Sequence, residues 1–177
     1  MKYVAVNELA HFSFHDSVIV QLGFIDGKMT WKLIAANATT ENSQNSYDCD
    51  MCIEEAKVIF EHVNIESIVF GAYEVHDFQH VLLESVAERT AKPEEYDDIL
   101  SKISGGNSDI LSMAELTNDE NGKQRVCFTF DGGLVGLGMD LVLTISFSKS
   151  VVSWDKFSGK AWYEYPEWKK RCKNNKD

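Results

Sequence analysis

Apolar and polar residues alternate along most of this chain, most cleanly from His11 to Ala38, HFSFHDSVIVQLGFIDGKMTWKLIAANA. Side chains on a strand point to opposite faces with a period of two. Asp26-Gly27 divides this stretch with the residue pair that suits a type I′ turn, in which both central positions need φ > 0. A β-hairpin closed at 26–27 sets Phe24 opposite Met29, Leu22 opposite Trp31, Val20 opposite Leu33 and Val18 opposite Ala35, all on one apolar face. The other face pairs Ile25 with Lys28, Gly23 with Thr30, Gln21 with Lys32 and Ile19 with Ile34 and is mixed. A slip of one residue would turn Trp31 and Leu33 to water, so the pattern specifies the register. The apolar phase reaches back to Phe14 and Phe12 but meets Asp16. A carboxylate facing a core without partners is costly, and a bulge or turn at His15-Asp16-Ser17 would throw it outward.

The remaining elements follow the same logic. Residues 1–10 carry a weak pattern, a short helix or strand, and residues 39–46 are a polar loop. Tyr47, Cys49, Met51 and Ile53 predict a third strand, and a tight connection at Glu54-Glu55 leads to a fourth through Ala56, Val58 and Phe60. A further β segment runs from Ile65 to Tyr73. Between 77 and 90 the period changes: Phe78, Val81, Leu82 and Val86 are spaced for one helix face, although FQHVLLES also reads as a strand. Pro93, Glu94 and Glu95 suit the first turn of a helix and Lys102 its last. Tyr96, Ile99, Leu100 and Ile103 form its apolar stripe, and Gly105-Gly106 stops it. Strand alternation returns from 110. It turns at 118–122, then continues through Val126, Phe128 and Phe130 and through Leu141, Leu143, Ile145 and Phe147. Ser148–Ser150 turns the chain into residues 151–155. The aromatic run Phe157, Trp162, Tyr163, Tyr165 and Trp168 predicts a plug over one end of a sheet. The expected fold class is α+β: a mainly antiparallel β-sheet of seven to nine strands, as a sandwich or half-open barrel, with two or three short helices. One domain covers 1–177, with 157–177 as an aromatic, then basic, C-terminal tail.

Charge narrows the function classes. The formal net charge is −11, yet residues 169–177 hold five of the 17 basic residues and one of the 28 acidic ones, so the body is more acidic than the whole. Such a body argues against nucleic-acid binding, which needs Lys and Arg clusters, and suits a basic protein partner, although solubility alone also accounts for it. No stretch approaches the ~18 apolar residues that span a bilayer, and MKYVAVNELAHF lacks the apolar centre of an export signal. The expectation is a cytoplasmic protein without membrane contact, with Cys49, Cys52, Cys127 and Cys172 reduced.

Few residues point to chemistry. Cys49-Asp-Met-Cys52 is a CxxC, but it lies in a predicted strand beside acidic residues, which raise a thiol pKa, and a strand sends the two thiols to opposite faces. Cys127 and Cys172 supply no second pair for zinc. His76 and His80 are spaced as paired ligands on a helix face but lack the Glu of HExxH and a third ligand. His11 and His15 share one face of a strand and could hold a metal or respond to pH. His15-Asp16 sits in a β pattern, unlike the helical dyads of metal phosphohydrolases. The run from Gly132 through Gly136 to Gly138 does not match GxGxxG and precedes a strand. No cofactor is expected, and no catalytic residue is singled out.

The opening of the chain, a short segment followed by FHDSVI and a hairpin, resembles openings of small uncharacterised bacterial β-rich proteins, some of them predicted immunity proteins of toxin systems. That resemblance implies a non-catalytic acidic module that binds a basic toxin or enzyme. Two other readings stand beside it. One is an enzyme with a histidine-based metal site drawn from His11 and His15 or His76 and His80. The other is a self-associating homo-oligomer that uses Ile19, Ile25 and Ile34.

Overall fold

The Asp26-Gly27 turn closes the hairpin as its sequence requires, with φ of 50° and 71° at the two residues. The structure is a computed structural model that describes residues 1–133 and 140–166. Gly136, Gly138, Trp168, Cys172 and the basic end of the tail lie outside the described residues.

In chain order the first strands are β1 (Tyr3–Val6), β2 (Phe12–Ser13), β3 (Ser17–Ile25), β4 (Lys28–Ile34), β5 (Asn37–Ala38), β6 (Met51–Ile53), β7 (Glu55–Glu61) and β8 (Asn64–Phe70). They continue with β9 (Tyr73–His76), β10 (Leu82–Val86), β11 (Arg89–Thr90), β12 (Ser108–Leu116), β13 (Gln124–Phe130), β14 (Leu141–Phe147), β15 (Lys149–Trp154) and β16 (Phe157–Lys160). The α-helix α1 (Tyr96–Gly105) lies between β11 and β12 and is entered through a 3-10 turn at Pro93–Glu95. Two further 3-10 turns stand at Leu9–His11 and Trp162–Glu164. Ten strands form one antiparallel sheet in the order β1-β15-β7-β4-β3-β12-β13-β14-β8-β11. The order ends in two edges, so it is not a closed barrel. A four-stranded sheet, β16-β6-β5-β2, stands beside it, and among the described residues β9 and β10 pair only with each other.

Two places bend the large sheet onto itself. β7 is third in the order and β8 ninth, yet only His62 and Val63 separate them; β14 is eighth and β15 second, joined through Ser148 alone. Both connections turn the chain sharply from one half of the sheet to the other. Ser148 N donates to Glu61 O (3.0 Å), and Val63 N donates to Gly27 O (2.7 Å), which ties the hairpin tip to the same corner. The inner faces then meet ring to ring. Trp31 on β4 lies 4.6 Å from Phe128 on β13 and 5.1 Å from Phe60 on β7, and Phe60 lies 5.0 Å from Phe147 on β14. Trp31, Phe60, Phe128 and Phe147 are completely buried.

The hairpin register holds from the turn to Gln21–Lys32 and then shifts. Ile19 faces Leu33 and Val18 faces Ile34, with Val20 left over as a bulge. The expected pairs Val20–Leu33 and Val18–Ala35 are therefore replaced, and Ile19 is buried instead of lying on the mixed face. Three β-branched apolar residues in a row satisfy either phase, so alternation alone does not locate the bulge. Asp16 is turned outward as expected. It has φ 63° in a tight turn where Ser17 N donates to Phe14 O (2.9 Å).

β3 and β12 pair only at Ser17–Ile19 with Ser108–Ile110. Past that point α1 runs along β3, and Ser104 Oγ takes the Leu22 N–H at 2.9 Å, a donor that a bare strand edge would leave unmet. Ile99, Leu100 and Ile103 are buried, as the stripe predicts. The third strand is shorter than expected, Met51–Ile53, and belongs to the small sheet; at Glu54 the chain crosses to the large one. Phe157 packs on Tyr3 and Trp154 at 5.2 and 5.7 Å, and Tyr163 donates its hydroxyl to Asp50 Oδ2 (2.9 Å). Burial first, then Asp50, pushes the Tyr163 hydroxyl well above the usual range.

On the outer face of β13 and β8, Arg125 grips Glu66 at 2.7–3.0 Å through Nε and Nη2. Those hydrogen bonds hold the Glu66 carboxyl below its ordinary range despite its burial. A depressed carboxyl stabilises the fold above its unfolded pKa and loses that contribution as pH falls through the folded value. Glu66→Gln is thus expected to lower the thermal midpoint at neutral pH. Melts of the two proteins should converge below about pH 4; a constant gap across pH would contradict this.

Candidate functional site

The chain leaves β8 at Phe70 and returns to it in β11, where Arg89 pairs with Phe70 and Thr90 with Val69. Everything between is an excursion from the sheet edge. The departure is fixed by one hydrogen bond: Gly71 N donates to Asp140 O at 2.9 Å. The return is clamped. The Arg89 guanidinium lies 4.1 Å from the centre of the Phe70 ring and reaches both Glu95 oxygens at 3.1 and 3.3 Å. The Lys92 N–H first, and Arg89 after it, hold the Glu95 carboxyl below its ordinary range.

The excursion itself is the two-stranded arm β9–β10. The predicted helix over 77–90 does not form. A helix would need its stripe of Phe78, Val81, Leu82 and Val86 covered, and in the arm Phe78, Val81 and Leu82 are exposed. The helical spacing arises from a loop followed by a bulged strand. Asp77 Oδ1 accepts the N–H groups of Gln79 (2.8 Å) and Val81 (2.9 Å), Asp77 N donates to Val81 O (2.9 Å), and His80 turns at φ 61°. The register slips at Leu83, so Leu82 faces His76 and Glu84 faces Val75.

The arm breaks the usual rule of burial. Phe78 is 90% exposed and Leu83 64% exposed, with Val75, Val81 and Leu82 also open to solvent. Clustered exposure of this kind marks interaction surfaces, whereas scattered apolar residues do not. Residues 71–88 carry Glu74, Asp77, Glu84 and Glu88 and no Lys or Arg. The arm is therefore an apolar tip on an acidic stalk. Asp77→Ala should free the tip without unfolding the body. Amide exchange at Gln79 and Val81 should accelerate while global stability stays within about 0.5 kcal/mol; unchanged exchange would contradict the role given to Asp77.

The histidines do not converge. His11 closes the first 3-10 turn, 3.6 Å from Glu8 through Nδ1. His15 Nδ1 lies 2.7 Å from the Leu111 carbonyl oxygen, which makes it the protonated nitrogen, and Nε2 is 3.5 Å from Asp16. They share no strand face, because β2 covers only Phe12–Ser13. His76 ends β9, 3.5 Å from Glu74, and His80 sits in the loop, so their helical spacing is not realised. Among the described residues no three His, Cys, Asp or Glu side chains group as a metal cage. Cys49 is buried with its sulfur 3.8 Å from that of Met51, and Cys52 lies 3.8 Å from the Ile53 carbonyl oxygen.

Sequence reasoning passes over one contact. His62 Nδ1 lies 2.7 Å from Ser148 Oγ at the bend of the sheet. The same hydroxyl lies 3.2 Å from Glu61 O, so Ser148 links the His62 ring to the backbone of β7. The pair is a clasp between two corners. Its partners are 86 residues apart, and no local signal links them. Compared with protein-family models, curated proteins and solved structures, the chain finds no match.

Proposed function

We propose that this chain is a non-catalytic protein-binding module of the immunity type, which covers its partner with the arm β9–β10. The observation that carries the reading is the cluster of exposed apolar side chains on an element that leaves the sheet edge and, among the described residues, pairs only with itself. A chain bears the cost of exposing Phe78 and Leu83 in water more readily when a partner covers them. Burying each is worth roughly 1.5–3 kcal/mol. The clamp at Arg89 supports the reading, because a held base spares a partner part of the cost of ordering the arm. Affinity capture from the source organism with the wild-type chain and with Phe78→Asp/Leu83→Asp tests it. A protein held by the first and lost from the second supports the reading; equal retention by both would remove it.

Self-association is a second reading, favoured by Ile25, which is 73% exposed, and by Ile34, both on the outer face of the hairpin. Ile19 drops out of this surface because the bulge buries it. Light scattering at high concentration separates the two: a monomer leaves the arm as the binding element.

A further inference from the structure

We infer that the arm inserts its apolar tip into a pocket on a basic protein, with the stalk carboxylates meeting Lys and Arg at the pocket rim. This rests on the arm being the binding element and adds the chemistry of its partner. The tip offers Phe78 as the most exposed large side chain, with Val81, Leu82 and Leu83 behind it. Glu74, Glu84 and Glu88 are exposed along the stalk, and among the described residues none of them is paired with a Lys or Arg. The negative surface does not stop at the arm. Residues 72–98 hold eight acidic and two basic residues against a net charge of −11 for the whole chain. Arg89, one of those two, is already engaged with Glu95 and brings the start of α1 to the base of the arm.

This charge selects among occupants. Arm-to-arm pairing with a second copy would set two acidic stalks together, and an anionic bilayer would repel the stalk, so like charge disfavours both. A partner with Lys and Arg around an apolar pocket meets both features at once. The carboxylates then act chiefly on encounter and orientation, and the tip holds the complex once formed.

The test uses the full chain and a defined probe: an amphipathic peptide of about fourteen residues, leucine on one helical face and lysine on the other. A twin with glutamate for lysine and vesicles of phosphatidylcholine with phosphatidylserine serve as controls. Amide shifts on the labelled chain locate the contact. The lysine peptide is expected to shift residues 73–88, and to bind about tenfold more weakly when salt rises from about 0.05 to about 0.5 M. Phe78→Ser and the triple variant Glu74→Gln/Glu84→Gln/Glu88→Gln should each weaken it by about tenfold or more. No binding, shifts away from the arm, or equal binding of the glutamate peptide or the vesicles would overturn the inference. Loss with Phe78→Ser but not with the triple variant overturns the basic partner and leaves the arm as the binding element. Indifference to both variants overturns both.

Discussion

Replacing Trp31 with alanine is expected to lower the unfolding free energy by about 3–5 kcal/mol. The indole is completely buried and touches rings from both halves of the bent sheet: Phe60 from one, Phe128 and Phe130 from the other. Removing it opens a cavity where the two inner faces meet, and close-packed walls collapse only partly into such a void. A loss this large against a total of about 5–15 kcal/mol would be visible in any denaturant titration. Trp31→Phe should cost well short of that. It keeps an aromatic ring at the crossing and removes an indole N–H for which the described residues offer no acceptor, and an unmet buried donor costs about 1–3 kcal/mol. If Trp31→Ala unfolds at the wild-type denaturant concentration, the two halves do not meet as described.

The second large effect falls on binding and spares the fold. Phe78→Asp/Leu83→Asp replaces two exposed side chains, so global stability should stay within about 0.5 kcal/mol per site. Affinity for the partner should fall by more than about a hundredfold, because a charge is driven into a contact that the wild type fills with an aromatic ring. Calorimetric unfolding and binding isotherms on one preparation read the two quantities separately. A variant that both melts early and binds weakly would point to misfolding, not to a docking tip.

The contrast between these residues shows what the chain makes legible. Trp31 and Leu22 lie in a strand flanked by an Asp-Gly turn, and alternation plus turn chemistry leaves one economical solution; the structure adopts it through Gln21–Lys32. Val18, Ile19 and Val20 are apolar in both phases, so nothing local marks the bulge. Residues 78–86 mislead for another reason. Reading periodicity assumes that apolar side chains share a buried face, and in the arm the apolar residues at the tip face water. The clue lay in Asp77, whose short carboxylate closes a loop over Gln79 and Val81, and in the lack of any basic residue from 71 to 88. The sheet corner joining His62 to Ser148 is a product of topology alone. The helix α1, by contrast, is legible in its proline entry, acidic first turn and apolar stripe, while its end differs from the expected Gly105-Gly106 stop: Gly105 is still helical, Gly106 stands at φ −102°, and Asn107 takes the left-handed turn at φ 52°.

Docking through the arm requires residues 73–86 to stand in solvent as a hairpin in the free protein. A soluble paramagnetic probe, added to the chain while the NMR signals of the Phe78 ring and the Leu83 methyls are followed, reads this directly. Broadening of both signals, far beyond that of the Leu33 methyls in the core, is the predicted result. Signals from Phe78 and Leu83 as protected as those of Leu33 would mean that the arm is folded into the body, and the docking element described here would not exist.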